Sequence, residues 1–256
     1  MEPKYHPEPY WSRVAEEIES REGTNVIAGD DEPYYVYKRQ KFLQLLHDIS
    51  FEGKSILEIG PGPGGNLLEI WPKRPARLVG ADISSSMIKI ARSRVDPRVE
   101  IVKTNGTSLP FSDRDFDLVF SATVLQHNSD DEMMRSLLCE MTRVSGDQVV
   151  LFEQVDDEIS GTDLRVARPV AYYADIMREY GYTLVDTQMI DIIASYYVQG
   201  AIRKVFNPSS RAEGQPLSPA SLALQQLTLP ITKVLDSVVK LEKDLARMTF
   251  VRTHKA

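Results

Sequence analysis

The chain has 256 residues, of which 42% are hydrophobic, and its formal net charge is −7. This length and composition predict one large α/β domain, or one domain with an elaboration, that can bury a core. The acidic balance and the absence of a basic run argue against a dedicated nucleic-acid binder. A single cysteine, Cys139, excludes an intrachain disulfide and a thiolate metal cluster, and we expect no metal site.

The first residues are polar, and no apolar stretch is long enough to span a bilayer. We therefore expect a cytoplasmic protein without a secretory signal or a membrane span. Residues 1–33 are expected to form a helical N-terminal arm that serves as a lid, with a helix from about residue 11 to residue 21.

Helical and strand patterns alternate from about residue 34 onward. Such alternation is typical of a doubly wound, mostly parallel sheet with helices on both faces. The predicted elements, in chain order, are helix 34–49, strand 55–59, helix 65–71, strand 77–81, helix 85–95, strands 99–103 and 116–121, helix 130–144, strand 148–153, helix 169–180, strand 183–190 and strand 246–252.

Residues 56–65 read Ile-Leu-Glu-Ile-Gly-Pro-Gly-Pro-Gly-Gly, an apolar run broken by glycines and followed by a helical pattern. A buried strand that leads through a glycine turn into a helix places bare backbone against a ligand. Two patterns fit this turn. The spacing G-x-G-x-x-G from residue 60 is the dinucleotide fingerprint, whereas Glu58-x-Gly60-x-Gly62-x-Gly64 places a carboxylate beside the turn.

The next two predicted strands end in polar residues. Asp82 lies 22 positions after Gly60, where a carboxylate can accept both hydroxyls of a ribose in either NAD or an adenosyl ligand. After the following strand, Asn105-Gly106 presents a polar side chain and then a glycine, which can meet an adenine edge. The turn alone therefore leaves both ligands open.

Residues 34–153 resemble class I S-adenosylmethionine-dependent methyltransferases. The resemblance rests on Ile-Leu-Glu-Ile-Gly-Pro-Gly-Pro-Gly, Val-Gly-Ala-Asp-Ile-Ser-Ser-Ser-Met, Leu-Pro-Phe and Phe-Asp-Leu-Val-Phe-Ser, in this order and at these spacings. It implies a Rossmann-like, mostly parallel sheet of seven strands with a helical insertion before the last strand. The implied cofactor is S-adenosylmethionine, with S-adenosylhomocysteine as the product.

The resemblance also implies which residues hold the cofactor. The methionine part and the ribose would meet the first turn and Asp82, adenine would meet the two loops that follow, and the sulfonium would lie near the end of the fourth strand. The implied cofactor-binding residues are Glu58, Gly60, Gly62, Gly64, Asp82, Ile83, Met87, Asn105, Gly106, Thr107, Ser121 and Ala122. Aspartate is usual in the family at the position of Asn105, and an amide can still bond the adenine edge.

Three further residues have two interpretations each. His127 lies just beyond the fourth strand, where it can act as a general base or cap and pack the following helix. Tyr37 and Arg39 can close over the cofactor and bind its carboxylate, or Tyr37 packs while Arg39 lies on a solvated face.

We expect the chain to be organised into four segments: the arm 1–33, a cofactor-binding core 34–190, an insertion 191–245 and a final strand within 246–256. The insertion covers about 55 residues, far longer than an ordinary loop. We expect it to cap the acceptor pocket, and a homodimer interface is the alternative.

The end of this insertion predicts an amphipathic helix with apolar residues at helical spacing. We expect the apolar side to be packed and the charged side, with Lys233, Asp236, Lys240 and Asp244, to be solvated. The apolar positions are Ile231, Val234, Leu235, Val238, Leu241 and Leu245.

These features predict methyl transfer to an oxygen, nitrogen or carbon atom of a small molecule, such as a natural-product intermediate, a sugar or a lipid precursor. Two alternatives belong to other classes: a non-catalytic binder of S-adenosylmethionine or S-adenosylhomocysteine, and an NAD-dependent oxidoreductase. No nucleic-acid partner is expected.

Overall fold

The computed structural model describes residues 6–19, 32–46, 48–162, 164–190, 192–211, 215–239 and 244–253. Within these ranges the chain forms a mixed sheet of seven strands with helices on both faces, as predicted. The elements are α1 (Pro7–Glu19), α2 (Pro33–Leu46), β1 (Ser55–Ile59), α3 (Gly65–Ile70), β2 (Arg77–Asp82), α4 (Ser85–Arg94), β3 (Glu100–Lys103), β4 (Phe116–Ala122), α5 (Asp131–Val144), β5 (Ser145–Val155), β6 (Ser160–Thr162), β7 (Arg165–Ala167), α6 (Val170–Glu179), β8 (Tyr182–Met189), α7 (Ile193–Phe206), α8 (Pro219–Val238) and β9 (Asp244–Arg252).

The strand order in the sheet is β3-β2-β1-β4-β5-β9-β8. The first five strands in this order, β3, β2, β1, β4 and β5, run parallel to one another. β9 runs antiparallel to both of its neighbours. The connections reverse direction between β1 and β4, and ligands of open α/β sheets bind outside the carboxyl ends of the strands at such a point.

Side chains alternate between the two faces of the buried strands. Ile56 packs in the cluster formed with α2, α3 and α4, whereas its neighbour Leu57 packs in the cluster formed with α5 and α6. On the outside of the first cluster, α1 packs on α4 through Val14 and Ile18 against Ile90. Because these strands are buried on both faces, successive residues must be apolar, which explains the continuous hydrophobic runs in the sequence.

The predicted elements are found with small shifts of their ends. The helix expected at residues 11–21 is α1, which begins at Pro7, while residues 20–31 lie outside the described ranges. The short hairpin of β6 and β7 is an addition that the sequence did not predict. No helix in the described part of the chain is long and apolar enough to cross a bilayer.

The prediction for the side of α8 that packs is wrong. Ile231, Val234, Leu235 and Val238 are 64%, 63%, 44% and 75% exposed, whereas Asp236 is fully buried. Of the other positions in this prediction, Lys240 and Leu241 and the side chain of Asp244 lie outside the description, and Leu245 is a buried residue of β9.

The buried face of α8 is polar because α7 offers it hydrogen-bond donors. Ile192 precedes α7 and provides no side-chain cap, and Asp236 takes that role by accepting from the backbone N–H of Ala194 at 2.8 Å and of Ser195 at 3.2 Å. The hydroxyl of Ser195 also donates to Asp236. A carboxylate at a helix N-terminus is stabilised by the helix dipole, which is why a charged residue is buried here.

Candidate active site

A cavity of about 520 Å³ lies at the carboxyl ends of β1, β2 and β4. The loops that follow β1 to β4 form its floor, and side chains of α1, α2, β7 and α7 form its walls. The cavity therefore lies at the sheet edge where the sequence placed the ligand.

The turn after β1 contains glycines with different functions. Gly60 and Gly62 have φ angles of +66° and +53°, which L side chains rarely adopt. A Cβ atom on Gly60 would lie 2.6 Å from Val124, whereas nothing lies within 4 Å of a Cβ on Gly62, at the open cavity. Gly64 is not part of the lining, and a Cβ there would lie 2.8 Å from Val95 at the end of α4.

Glu58 at the end of β1 is a buried carboxyl with one oxygen left unpartnered. It is 1% exposed, and Oε1 accepts from Nδ2 of Asn66 at 2.7 Å. Oε2 has no hydrogen-bond partner among the described residues. Burial raises the pKa of Glu58 to about 8, against the lowering effect of the Asn66 bond. Near neutral pH this carboxyl is therefore mostly protonated, and it faces the cavity with spare bonding capacity.

Asp82 at the end of β2 ties two loops together. Its Oδ1 accepts from the N–H of Ser84 at 2.8 Å, and its Oδ2 accepts from the N–H of Gly62 at 3.0 Å. Burial raises the pKa of Asp82, and these two backbone bonds oppose that rise. Ile83 and Met87 extend the cavity wall from this strand into α4.

The loop after β3 is organised by Asn105 from within. Its Oδ1 accepts from the backbone N–H of Thr107 at 2.9 Å and of Ser108 at 2.8 Å, so the amide oxygen is occupied by its own turn. Thr104 and Gly106 line the cavity, whereas Asn105 and Thr107 do not.

Glu153 on β5 holds the loop that follows β4. Its carboxylate accepts from the hydroxyl of Ser121 at 2.9 Å and from the N–H groups of Val124 and Gln126 at 3.2 and 3.1 Å. Burial raises the pKa of Glu153, which is 0% exposed. The loop includes Thr123 at φ +58°, a left-handed conformation that is costly for a β-branched residue. Glu153 thus stabilises a strained wall of the cavity.

His127 lies on the far side of that loop with its ring fixed. Nδ1 lies 2.8 Å from the carbonyl oxygen of Leu164, so this nitrogen carries the proton and donates it. Nε2 then accepts from the side-chain amide of Gln126 at 3.1 Å. The ring also meets Trp11 of α1 edge-to-face, with 5.0 Å between centroids. Nε2 is therefore the nitrogen that can take up a proton.

Arg39 and Tyr37 of α2 have separate environments. Arg39 lines the cavity and donates to the carbonyl of Gly65 at 2.8 Å, while its buried Nε has no partner among the described residues. Tyr37 is buried away from the cavity, with Nζ of Lys233 lying 4.7 Å from its ring centre.

The insertion reaches the cavity through two arginines. Arg203 of α7 and Arg211 after it both form ion pairs with the buried Glu32 beside α2, and all three line the cavity. The guanidinium of Arg203 also lies 5.0 Å from the ring centre of Tyr35. The segment before α2 and the insertion are thus joined across one side of the cavity.

Ten of the fifteen residues proposed from the sequence line this cavity. They are Arg39, Glu58, Gly60, Gly62, Asp82, Ile83, Met87, Gly106, Ala122 and His127; the other five, outside the lining, are Tyr37, Gly64, Asn105, Thr107 and Ser121. Sequence reasoning missed Glu32, Thr123, Gln126 and Glu153. No local motif marks Glu153, because it acts through a neighbouring strand.

Comparisons with known proteins agree with this geometry. The family model described as "Methyltransferase domain" matches residues 56–147, which run from β1 into β5. This match supports the resemblance of the chain to the class I S-adenosylmethionine-dependent methyltransferases. The donor of that family is S-adenosylmethionine, so the match favours the adenosylmethionine interpretation of the glycine turn over the dinucleotide one.

Two curated methyltransferases illustrate the similarity in sequence. Phosphoethanolamine N-methyltransferase 2 of Caenorhabditis elegans is 28% identical over 148 residues, which are 53% of this chain and 34% of that protein. Ajmaline N-methyltransferase of Rauvolfia serpentina is 26% identical over 129 residues, 48% of this chain and 43% of that protein. The alignments thus span less than half the length of either methyltransferase.

The fold is also that of a solved methyltransferase. Magnesium protoporphyrin IX methyltransferase of Synechocystis PCC 6803, solved with bound SAH, superposes with a TM-score of 0.57 at 13% identity. The superposition covers 96% of this chain and 94% of that one. At this identity the likeness concerns the architecture alone.

Proposed function

We propose that this methyltransferase transfers a methyl group from S-adenosylmethionine to a small molecule. The observation that carries the proposal is the cavity, in which Glu58, Gly62 and Asp82 converge at the carboxyl ends of β1 and β2. The names of both curated relatives, which refer to phosphoethanolamine and ajmaline, support a small acceptor.

The residues of the cavity fit the cofactor. Oε2 of Glu58 and Nε of Arg39 are buried polar atoms without partners among the described residues, and such atoms are costly unless a ligand satisfies them. Glu58 can accept from an ammonium group, and Arg39 can donate to a carboxylate. We assign the amino-acid part of the cofactor to this pair, the ribose to Asp82 and the adenine to Ile83, Met87 and Gly106.

The bound cofactor supplies an electrophilic methyl group on a sulfonium. An acceptor that receives this methyl group would have to present a lone pair to it and lose a proton. The protein's contribution is to align the acceptor, exclude water and receive that proton. We assign proton uptake to Nε2 of His127, which must first release the Gln126 amide.

We further propose that the insertion caps the acceptor pocket. The ion pairs of Arg203 and Arg211 with Glu32 support this proposal, because all three residues line the cavity. Arg203→Met should raise the acceptor KM several-fold and leave the S-adenosylhomocysteine Kd unchanged. Lys204→Met, which removes an exposed neighbouring charge, is the matched control. Loss of cofactor binding in Arg203→Met would contradict an acceptor role.

The proposed function is tested by ligand stabilisation and by turnover. S-adenosylhomocysteine should raise the melting temperature, and NAD should not. Labelled methyl donor with a panel of small metabolites should give a labelled product. Stabilisation by NAD alone would overturn the cofactor assignment, and tight binding without transfer to any acceptor class would favour a non-catalytic binder.

Gly62→Ala should weaken S-adenosylhomocysteine binding by at least about tenfold. The added methyl group would enter the open side of the turn, where nothing else lies within 4 Å. Gly53→Ala is a matched control, because Gly53 also has positive φ (+71°) and no neighbour within 4 Å, but it does not line the cavity. Both variants should lose about 1–2 kcal/mol of stability from backbone strain. Calorimetric affinities that fall equally in both variants would show that the cofactor does not bind against Gly62.

His127→Asn should lower kcat by roughly 10²–10⁴ if Nε2 acts as a general base. Asparagine retains a donor for the Leu164 carbonyl and removes the basic nitrogen. The cofactor Kd should stay constant, because the ring lies beyond the residues assigned to it. Single-turnover rates over a pH series measure the effect, and an unchanged rate would reduce His127 to a packing residue.

A further inference from the structure

Helix α8 exposes a regular apolar stripe. Leu227, Ile231, Val234 and Val238 are 71%, 64%, 63% and 75% exposed. Their spacing of four, three and four residues is that of the a and d positions of a heptad. Such a narrow seam is typical of a helix that packs lengthwise against another helix.

The stripe cannot be turned inward without loss of the polar contacts between α7 and α8. Besides the cap that Asp236 provides, the Nε2 of Gln199 donates to the hydroxyl of Thr228 at 3.1 Å, and Ser221 and Gln225 are buried on the same face. A rotation that buried the stripe would break the bonds of Asp236 to α7 and that of Thr228 to Gln199. Helices α7 and α8 therefore bury polar groups between them, while α8 exposes apolar side chains to solvent.

The charges of α8 favour one occupant for this stripe. Its only ionisable residues are Lys233 and Asp236; Asp236 is buried, and Lys233 lies over Tyr37 on another side. A membrane-surface helix is usually rich in Lys and Arg on its polar face, and α8 does not have this character. An uncharged seam also meets a copy of itself without like-charge repulsion.

We propose that the protein forms a homodimer in which the α8 stripe packs against the α8 stripe of a second copy. Ile231 and Val238 are β-branched and occupy one seam position of the heptad, and Leu227 and Val234 occupy the other, a pattern that packs well between helices. The contact buries apolar side chains that are otherwise in water, and this burial stabilises the dimer. The interface follows from surface chemistry and is independent of the methyl acceptor.

The test is the mass of the full-length protein in solution. Light scattering after size exclusion should give twice the mass of one chain for the wild type and one chain for Ile231→Glu/Val234→Glu. Val185→Glu is the control, because Val185 is 55% exposed on β8, away from the stripe, and it should leave the dimer intact. The double variant should keep its circular dichroism and its S-adenosylhomocysteine affinity, which separates loss of assembly from loss of folding.

A second measurement locates the contact. Single cysteines at positions 227, 231, 234 and 238, in a Cys139→Ser background, should cross-link at one or more seam positions, and Gln226→Cys should not. A monomeric wild type would overturn the proposal, whether or not it binds vesicles of anionic lipid. A dimer that survives both glutamate substitutions would overturn it as well.

Discussion

Glu58→Gln should make the ligand-free protein more stable than the wild type at pH 8 while weakening its binding of S-adenosylhomocysteine. Burial raises the pKa of Glu58 from 4.5 to about 8. The folded state therefore holds a proton that the unfolded state releases between these values. Wild-type stability falls as pH rises through this window, by up to about 1.4 kcal/mol per pH unit.

Glutamine cannot ionise, so the variant should lose this pH dependence. The gain in the free energy of unfolding of the variant over the wild type should be small near pH 5, grow towards pH 8 and then level off. Urea midpoints at a series of pH values measure it. Glu69→Gln is the control, because Glu69 is 53% exposed on α3 and also faces Arg39. It alters the charge of the same region without touching the buried carboxyl, and its curve should parallel that of the wild type.

The same substitution tests the assignment of the ligand. A cationic group beside Glu58 favours the ionised carboxylate, so binding should release protons at pH 7, and its heat should depend on the ionisation enthalpy of the buffer. In Glu58→Gln that dependence should disappear together with part of the affinity. Proton release that persists in the variant would place the cationic group elsewhere.

Arg168→Met should lower stability by about 3 kcal/mol, which corresponds to roughly 5–10 °C in melting temperature. Arg168 follows β7 and is 1% exposed. Its guanidinium donates to the carbonyls of Leu125 and Asn128 at 3.3 and 2.8 Å and to Asp131 at 3.2 Å. Methionine fills much of the volume and leaves those oxygens without their donor.

Arg178→Met is the matched control, since Arg178 pairs with Asp175 and is 71% exposed. An exposed pair contributes little, about 0.5 kcal/mol or less. Arg168 also holds the loop of Gln126 and His127 from below, so its loss should reduce turnover more than cofactor affinity. Equal stability of the two variants would show that the buried contacts contribute nothing.

The sequence predicted the core of the fold because its signals are local. Apolar runs between glycine or proline breaks define the buried strands, and the turn at Gly60 identifies the strand that leads to the cavity. The carboxyl ends of parallel strands meet at one edge of the sheet, so the sequence alone predicts that Glu58, Asp82 and His127 lie near one another. Asn105 was less predictable, because its oxygen bonds to its own loop.

The errors concern contacts between segments that are distant in sequence. Amphipathicity indicated which residues of α8 share a face but not which face is buried, and the capping of α7 by Asp236 reversed the expected orientation. The hairpin of β6 and β7 was missed because its strands are only three residues long. Arg168, which follows β7, is buried as a result, and no pattern in the sequence indicates this burial.

The antiparallel strand β9 has a consequence for how the chain folds. β9 lies between β5 and β8 in the sheet, although residues 190–243 separate β8 from β9 along the chain. During synthesis β8 therefore has no partner until β9 has left the ribosome, and closing so long a loop slows folding. Until then β5 and β8 both offer open edges, which are prone to pair with other chains. Helices α7 and α8, which we propose as the cap, precede β9 along the chain and can therefore form before the sheet is complete.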